Sequence, residues 1–248
     1  MINLVLSLAI GLGIAVLIRL GFDFPWVAAI IPGTIGFIGS FILLGRRTFL
    51  KLQAINTEVQ RELQAMPPNP REQKIKIEKA IKMLEGALIH ERWQFLVGAE
   101  IHGQIGIIKY MVKDTEGAVP ELAKANPRNY LAQAMLAAIA FQKKDYPAME
   151  RRFESAVTHG KKEGLMWAAY AWCLLQIKEK DKAIKVLARA VALNASDEKL
   201  KGALSALQND KKLKMKPWEP GWWQLGLEAP PQQQPVFAGG GRSMRFRR

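Results

Sequence analysis

The chain has 248 residues, 49% of them hydrophobic, with a formal net charge of +14 and a pI near 9.9. A chain of this size can bury one large core, and its positive balance favours anionic lipid, nucleic acid or an acidic protein without choosing among them. Cys173 is the only cysteine, which excludes an intramolecular disulfide and a cysteine-based zinc site and fits a reducing compartment.

The apolar residues are unevenly spread. Residues 1–18 carry no charged side chain, Arg19 and Asp23 interrupt, and a second uncharged run covers 24–45. Crossing the hydrocarbon of a bilayer takes about 20 apolar residues at about 1.5 Å each; the second run has that length and the first is slightly short. A cleaved signal peptide fits less well. No basic segment precedes the first run, no small-residue cleavage site precedes Arg19, and a second apolar segment follows at once. The intervening RLGFDF allows only an antiparallel turn, so a transmembrane helical hairpin over 1–45 is expected, with both ends on one side. Arg46, Arg47 and Lys51 follow the second span against a lone Arg19 in the turn, and the positive-inside rule then puts both ends in the cytosol. The expected setting is a bacterial inner (cytoplasmic) membrane.

Ser7, Gly11 and Ala15 recur every fourth residue on the first span, as do Pro32, Gly36 and Ser40 on the second. Such faces let helices approach closely, either within the hairpin or against a larger membrane complex. No ionisable residue lies inside either run, which argues against a transporter or channel acting alone. After the second run, Leu52, Ile55, Val59, Leu63 and Met66 keep three-to-four spacing until Pro67, Pro68 and Pro70, so 46–71 reads as an amphipathic juxtamembrane helix and a proline-rich linker. Fewer than three heptads do not make a coiled coil; a solvated stalk and a helix packed on the downstream residues both fit.

Beyond the linker the sequence repeats itself. QAMLAAIAFQKKDYPAMERRFESAV and WAAYAWCLLQIKEKDKAIKVLARAV align Ala137 with Ala171, Phe153 with Leu187 and Ala156 with Ala190, each 34 residues apart (171 − 137, 187 − 153, 190 − 156). In the second copy Trp167, Tyr170, Ala171, Leu174, Ala183, Leu187 and Ala190 stand at the spacing W-x-x-L-G-x-x-Y…A-x-x-x-F…A, so this stretch resembles a tetratricopeptide repeat. The first copy departs from the pattern at Gln133 and Met149. Gly106, Ala118, Leu122 and Ala125 match a third unit with a shortened second helix, and Ala80, Leu84, Ala87 and Leu88 resemble the second helix of an incomplete one. A closing helix with Ser196 as N-cap and Glu198 in its first turn is predicted near 197–209. The resemblance covers about 72–209 and implies an all-α stack of helical hairpins.

No catalytic constellation is visible. His90, His102 and His159 are far apart, HERWQ lacks the second histidine of a helical zinc site, and the glycine run 239–241 is followed by RSMRF rather than the Lys-Ser/Thr of a phosphate loop. Cys173 sits between Trp172 and Leu174, where a small buried hydrophobe is expected. The reading is of a protein that is not an enzyme and uses neither metal nor cofactor.

The tetratricopeptide resemblance implies protein binding on the concave face lined by the first helix of each repeat. Carried over, those positions are Gln104, Ile107 and Met111, then Leu131, Ala138 and Gln142, then Leu165, Ala168, Trp172 and Gln176. They are apolar or amide side chains, without the Lys, Arg and Asn with which family members clamp a C-terminal carboxylate, so an amphipathic segment suits them better. Ile107 and Trp172 fit equally as packing between helices. The tail, 210–248, has no helical period and ends with four arginines in seven residues, a pattern for anionic headgroups, acidic protein or RNA. Trp218, Trp222 and Trp223 are costly to leave in water, so the first half of the tail is expected to dock, on the repeats or on a partner.

The whole reads as a membrane-anchored adaptor or assembly factor that holds a protein partner, such as a neighbouring membrane complex, beside the lipid bilayer. The alternatives are a membrane-associated nucleic-acid-binding protein, which lacks a recognised module, and an accessory subunit of a transport or secretion complex.

Overall fold

The computed structural model describes residues 1–23, 25–65, 67–94 and 96–229. Among them the chain is all-α, with eleven α-helices and two short 3₁₀ turns. Helices α1 (Ile2–Phe22) and α2 (Trp26–Gln64) pack antiparallel. The face of α1 buried in this pair is Asn3, Ser7, Gly11 and Ala15, one residue per turn. Opposite it, Ala29 and Gly33 are buried. A Cβ on Gly11 would stand 2.8 Å from the Gly33 carbonyl oxygen, and one on Gly33 would stand 2.8 Å from the Gly11 carbonyl oxygen. The expected face of α2 is therefore shifted by one position: Pro32, Gly36 and Ser40 are half-buried and Gly33 is the buried position against the Gly11 backbone. The cause is what each meets, since Gly36 faces the flexible end of Ile14 whereas Gly33 faces backbone.

Both helices are long and apolar enough to cross a membrane, with mean hydropathy 2.3 and 2.2 over 18 residues. Only 17% and 11% of those windows is buried, unlike the core helix of a soluble protein. Their outward surfaces are Leu4, Leu8, Leu12, Val27, Ile31 and Ile35.

Helix α2 does not stop at Arg46 and Arg47 but runs on to Gln64. The next helix, α3 (Pro70–Ala87), starts with Pro70 in its first turn and with the Asn69 side chain accepting from the Arg71 N–H. Val59, Leu52, Ile55 and Leu63 of α2 form one core with Ala80, Leu84 and Ala87 of α3 and with Ile101 and Ile105 of α4 (Val97–Met111). Glu62 pairs with Lys79, whose hydrogen bond holds the Glu62 carboxyl below its usual range. The distal half of α2 is thus the first helix of the helical stack, packed rather than a solvated stalk. The linker boundary expected at 71/72 falls inside α3.

Three further hairpins follow: α4 with α5 (Thr115–Lys124), α6 (Tyr130–Gln142) with α7 (Tyr146–His159), and α8 (Gly164–Gln176) with α9 (Lys180–Leu193). Helix α10 (Glu198–Gln208) closes the stack. Helices α6, α8 and α10 begin 34 residues apart (164 − 130, 198 − 164), as do α7 and α9 (180 − 146). Ala137, Ala171, Phe153, Leu187, Ala156 and Ala190 are all fully buried at the equivalent positions.

The turns inside successive units share one device. Lys113, Lys144, Lys178 and Asp210 have positive φ (66, 61, 66 and 57°), and the next N–H reaches back five residues, as in Asp145 to Ala140 and Glu179 to Leu174. This is the Schellman closure, which satisfies carbonyls at a helix end. Asp114 and Asp145 then cap α5 and α7. The cap of α10 is Asp197 rather than the expected Ser196. Its carboxylate accepts from both Lys199 and Leu200 N–H groups, and a negative charge is favoured at a helix N-terminus.

Candidate protein-binding groove

The first helices α4, α6 and α8 stand side by side, and their exposed edges form a shallow groove. On α4, Gln104 and Ile107 are half-buried and Met111 is exposed. On α6, Leu131 is half-buried, Ala138 buried and Gln142 exposed; on α8, Leu165 and Trp172 are half-buried, Ala168 buried and Gln176 exposed. Ile107 and Leu131 pack on the repeat core. Met111, Gln142, Leu165, Trp172 and Gln176 reach the surface that the tail covers.

Residues 213–228 lie across that surface. A 3₁₀ turn (Lys216–Trp218) and the short helix α11 (Gly221–Gln224) shape them. Met215, Trp218, Trp222 and Leu225 are buried and Trp223 is half-buried. Trp222, fully enclosed, meets the edge of Trp172 with ring centres 5.2 Å apart, and Trp172 meets Phe141 at 5.8 Å. The Trp222 indole N–H donates to Glu228 (2.9 Å), so the tail satisfies its own buried polar atom. Gly221 faces Leu165, and the Trp218 ring nitrogen faces Gly164.

Two side chains of the groove bind tail backbone. The Tyr110 hydroxyl donates to the Leu225 carbonyl at 2.7 Å and the Gln142 amide to the Gly226 carbonyl at 2.9 Å. Gly226 adopts φ 60°, which turns the chain over Tyr110. Burial pushes the Tyr110 hydroxyl up to about 12, so it remains a donor at neutral pH. Two cavities flank the tail. One of about 450 Å³ is bordered by Met111, Gln142 and Trp223, and one of about 530 Å³ by Trp172, Gln176 and Leu213. Tyr110 does not stand out in the sequence, although it precedes Met111; its partner is a backbone carbonyl, which has no sequence signature.

Elsewhere two of the three histidines have ordinary partners. His102 lies 2.6 Å from Glu121, and His159 contacts the Ser155 carbonyl. Cys173 is buried, which raises its thiol well above the usual range and keeps it protonated. Arg46, Arg47 and Lys51 are exposed on α2 just past its apolar part. The glycine run 239–241 and the arginine-rich end lie outside the described residues. Comparisons with protein families, curated proteins and solved structures found no match to this chain.

Proposed function

We propose that the chain is a membrane-anchored adaptor or assembly factor. In this reading α1 and α2 span a bilayer, and the helical stack, which resembles tetratricopeptide repeats, holds a protein partner at the cytosolic surface. The partner binds in the groove that residues 213–228 occupy. The observation that carries the proposal is how the groove grips those residues: two side-chain donors on backbone carbonyls and one enclosed tryptophan on Trp172. Donors to main chain accept any peptide, while an aromatic pocket selects the anchor. The matching partner segment is therefore a short stretch of chain carrying a large apolar side chain. Because the tail is tethered, the partner competes against an intramolecular ligand of high effective concentration.

Nucleic acid is a poorer fit to the stack, whose sequence carries no recognised nucleic-acid module and which pairs some of its surface cations with carboxylates. Lys182 pairs with Glu150 at 3.0 Å, Arg189 with Glu154 at 2.9 Å, and Lys180 with Asp210.

Photo-crosslinking in intact cells tests the reading. A crosslinker at Met111 or Gln176 of the full chain is expected to capture a protein, and one at Lys185 on α9 is not. Capture from Lys185 alone would place the partner elsewhere. Protease added to spheroplasts is expected to spare the helical stack; its removal while cytosolic controls survive would reverse the orientation.

A further inference from the structure

We infer that a second binding site, for the phosphodiester headgroup of an anionic phospholipid, lies between α2 and the 3₁₀ turn Leu88–Arg92. The inference rests on the reading that α1 and α2 lie in a bilayer. A cavity of about 240 Å³ there is lined by Arg47, Lys51, His90, Asn3, Thr48 and Trp93. Arg47 and Lys51 are four residues apart and so share one face of α2. Neither they nor His90 have a carboxylate partner among the described residues, and no carboxylate lines the cavity. Glu91 is turned away against Gly98, and Glu100 borders a separate cavity. The site is thus a pocket with two unmatched permanent cations and a ring N–H.

Its height along α2 decides the occupant. The uncharged run ends at Gly45, so Arg47 stands at the edge of the apolar layer and Lys51 one turn beyond it. The start of α1 is fixed at the same level, because the amino terminus bonds to the Arg92 carbonyl and the Asn3 N–H to the Trp93 carbonyl at 3.1 Å. The Asn3 side chain, 2% exposed, ties this junction to Thr48 (3.1 Å) and Gln94 (3.0 Å). Beside the cavity Ile89 and Trp93 are 69% and 41% exposed, and a tryptophan at this depth belongs to the headgroup layer. An occupant must bring an anion to the cations and acyl chains to the adjoining apolar helices. A basic pocket at the cytoplasmic end of membrane helices meets an anionic lipid in this way.

The test uses the full chain in nanodiscs of phosphatidylcholine with added phosphatidylglycerol, followed by native mass spectrometry. The wild type and Arg46→Gln, whose side chain is outside the cavity, are expected to leave the disc with phosphatidylglycerol bound. Arg47→Gln with Lys51→Gln is expected to retain roughly ten- to thirtyfold less, with phosphatidylcholine retention unchanged. Equal losses from Arg46→Gln and from the double variant would overturn the site in favour of diffuse surface charge. Displacement of the lipid by added inorganic phosphate would overturn it in favour of a free anion. A chain that does not co-elute with nanodiscs at all removes the membrane reading itself, and the site with it.

Discussion

The hydroxyl of Tyr110 and the carbonyl of Leu225, 115 residues apart in the chain, meet at 2.7 Å and close the tail over the end of α4. Tyr110→Phe keeps the ring and leaves that carbonyl without its donor, at an expected cost of about 1 kcal/mol. Faster hydrogen exchange in 221–227 would register it. Burial raises the pKa of this hydroxyl in the fold to about 12. A value raised in the fold means that its contribution is complete below about 10, the ordinary tyrosine value, and is lost as the pH climbs through about 12. The tail of the wild type is therefore expected to loosen over that interval, by an increment that Tyr110→Phe does not show. Identical alkaline profiles would remove the hydroxyl from the account.

Trp222 is the enclosed anchor of the tail, and truncating a buried tryptophan to alanine costs about 3–5 kcal/mol. Because the tail is the last described segment, Trp222→Ala should release it without unfolding the hairpins beneath. Hydrogen exchange is expected to rise in 131–142 and 165–176 and to hold steady in α2 and α3. Unchanged exchange on α6 and α8 would mean that the tail does not cover them in solution.

Ala171 and Ala190 are fully buried at the small positions of α8 and α9. Replacing either by leucine inserts atoms where the two helices have no space, at a cost of about 1–3 kcal/mol. Chemical denaturation of the full chain in detergent measures it, and unchanged midpoints in both variants would contradict the close crossing.

Lys144 holds φ 61° between α6 and α7. A left-handed residue with a side chain is strained by about 1–2 kcal/mol, part of which glycine returns as extra unfolded-state entropy. Lys144→Gly is expected to stabilise by about 0.5–1 kcal/mol, whereas Asp145→Ala, which removes the α7 cap, loses about 1 kcal/mol. Opposite shifts in thermal midpoint are the expected pair of results.

Gly33→Val would drive side-chain atoms into the Gly11 carbonyl. The hairpin is expected to part at that crossing, and a cysteine pair engineered across it should then crosslink poorly in detergent. Efficient crosslinking would show that the helices can separate slightly and still pair.

The repeats were legible because their core positions, most of them small, recur at fixed spacing. Gly106 and Ala118, Ala137 and Met149, and Ala171 and Ala183 all stand twelve apart. Ala80 breaks the rule: twelve residues before it is Pro68, which lies in the turn between α2 and α3. Five positions separate α2 from α3, where three, such as 143–145, separate the helices of the later hairpins. The longer separation shifts α2 out of the repeat register, so the sequence left a solvated stalk and a packed helix both open for it. Asp197 was missed as a cap because adjacent Ser196 is an equally good one by type; only the local backbone decides between them. The docking of Trp222 could be expected from its hydrophobicity, but the hydrogen bonds that steer it join side chains to backbone and leave no pattern to read.

Helix α2 is continuous over 39 residues, roughly 58 Å at about 1.5 Å per residue. Its single proline, Pro32, lies near the far end, within the apolar part. From there to Gln64 the rod has no joint, and α3 and α4 are clamped directly to its end. If its apolar half spans a bilayer, such a rod is a lever: whatever leans that half, whether a thinner bilayer or a neighbouring membrane helix, would swing the attached hairpins through the same angle. The direction in which the tail-covered face points would then be set by tilt, with no linker to absorb it.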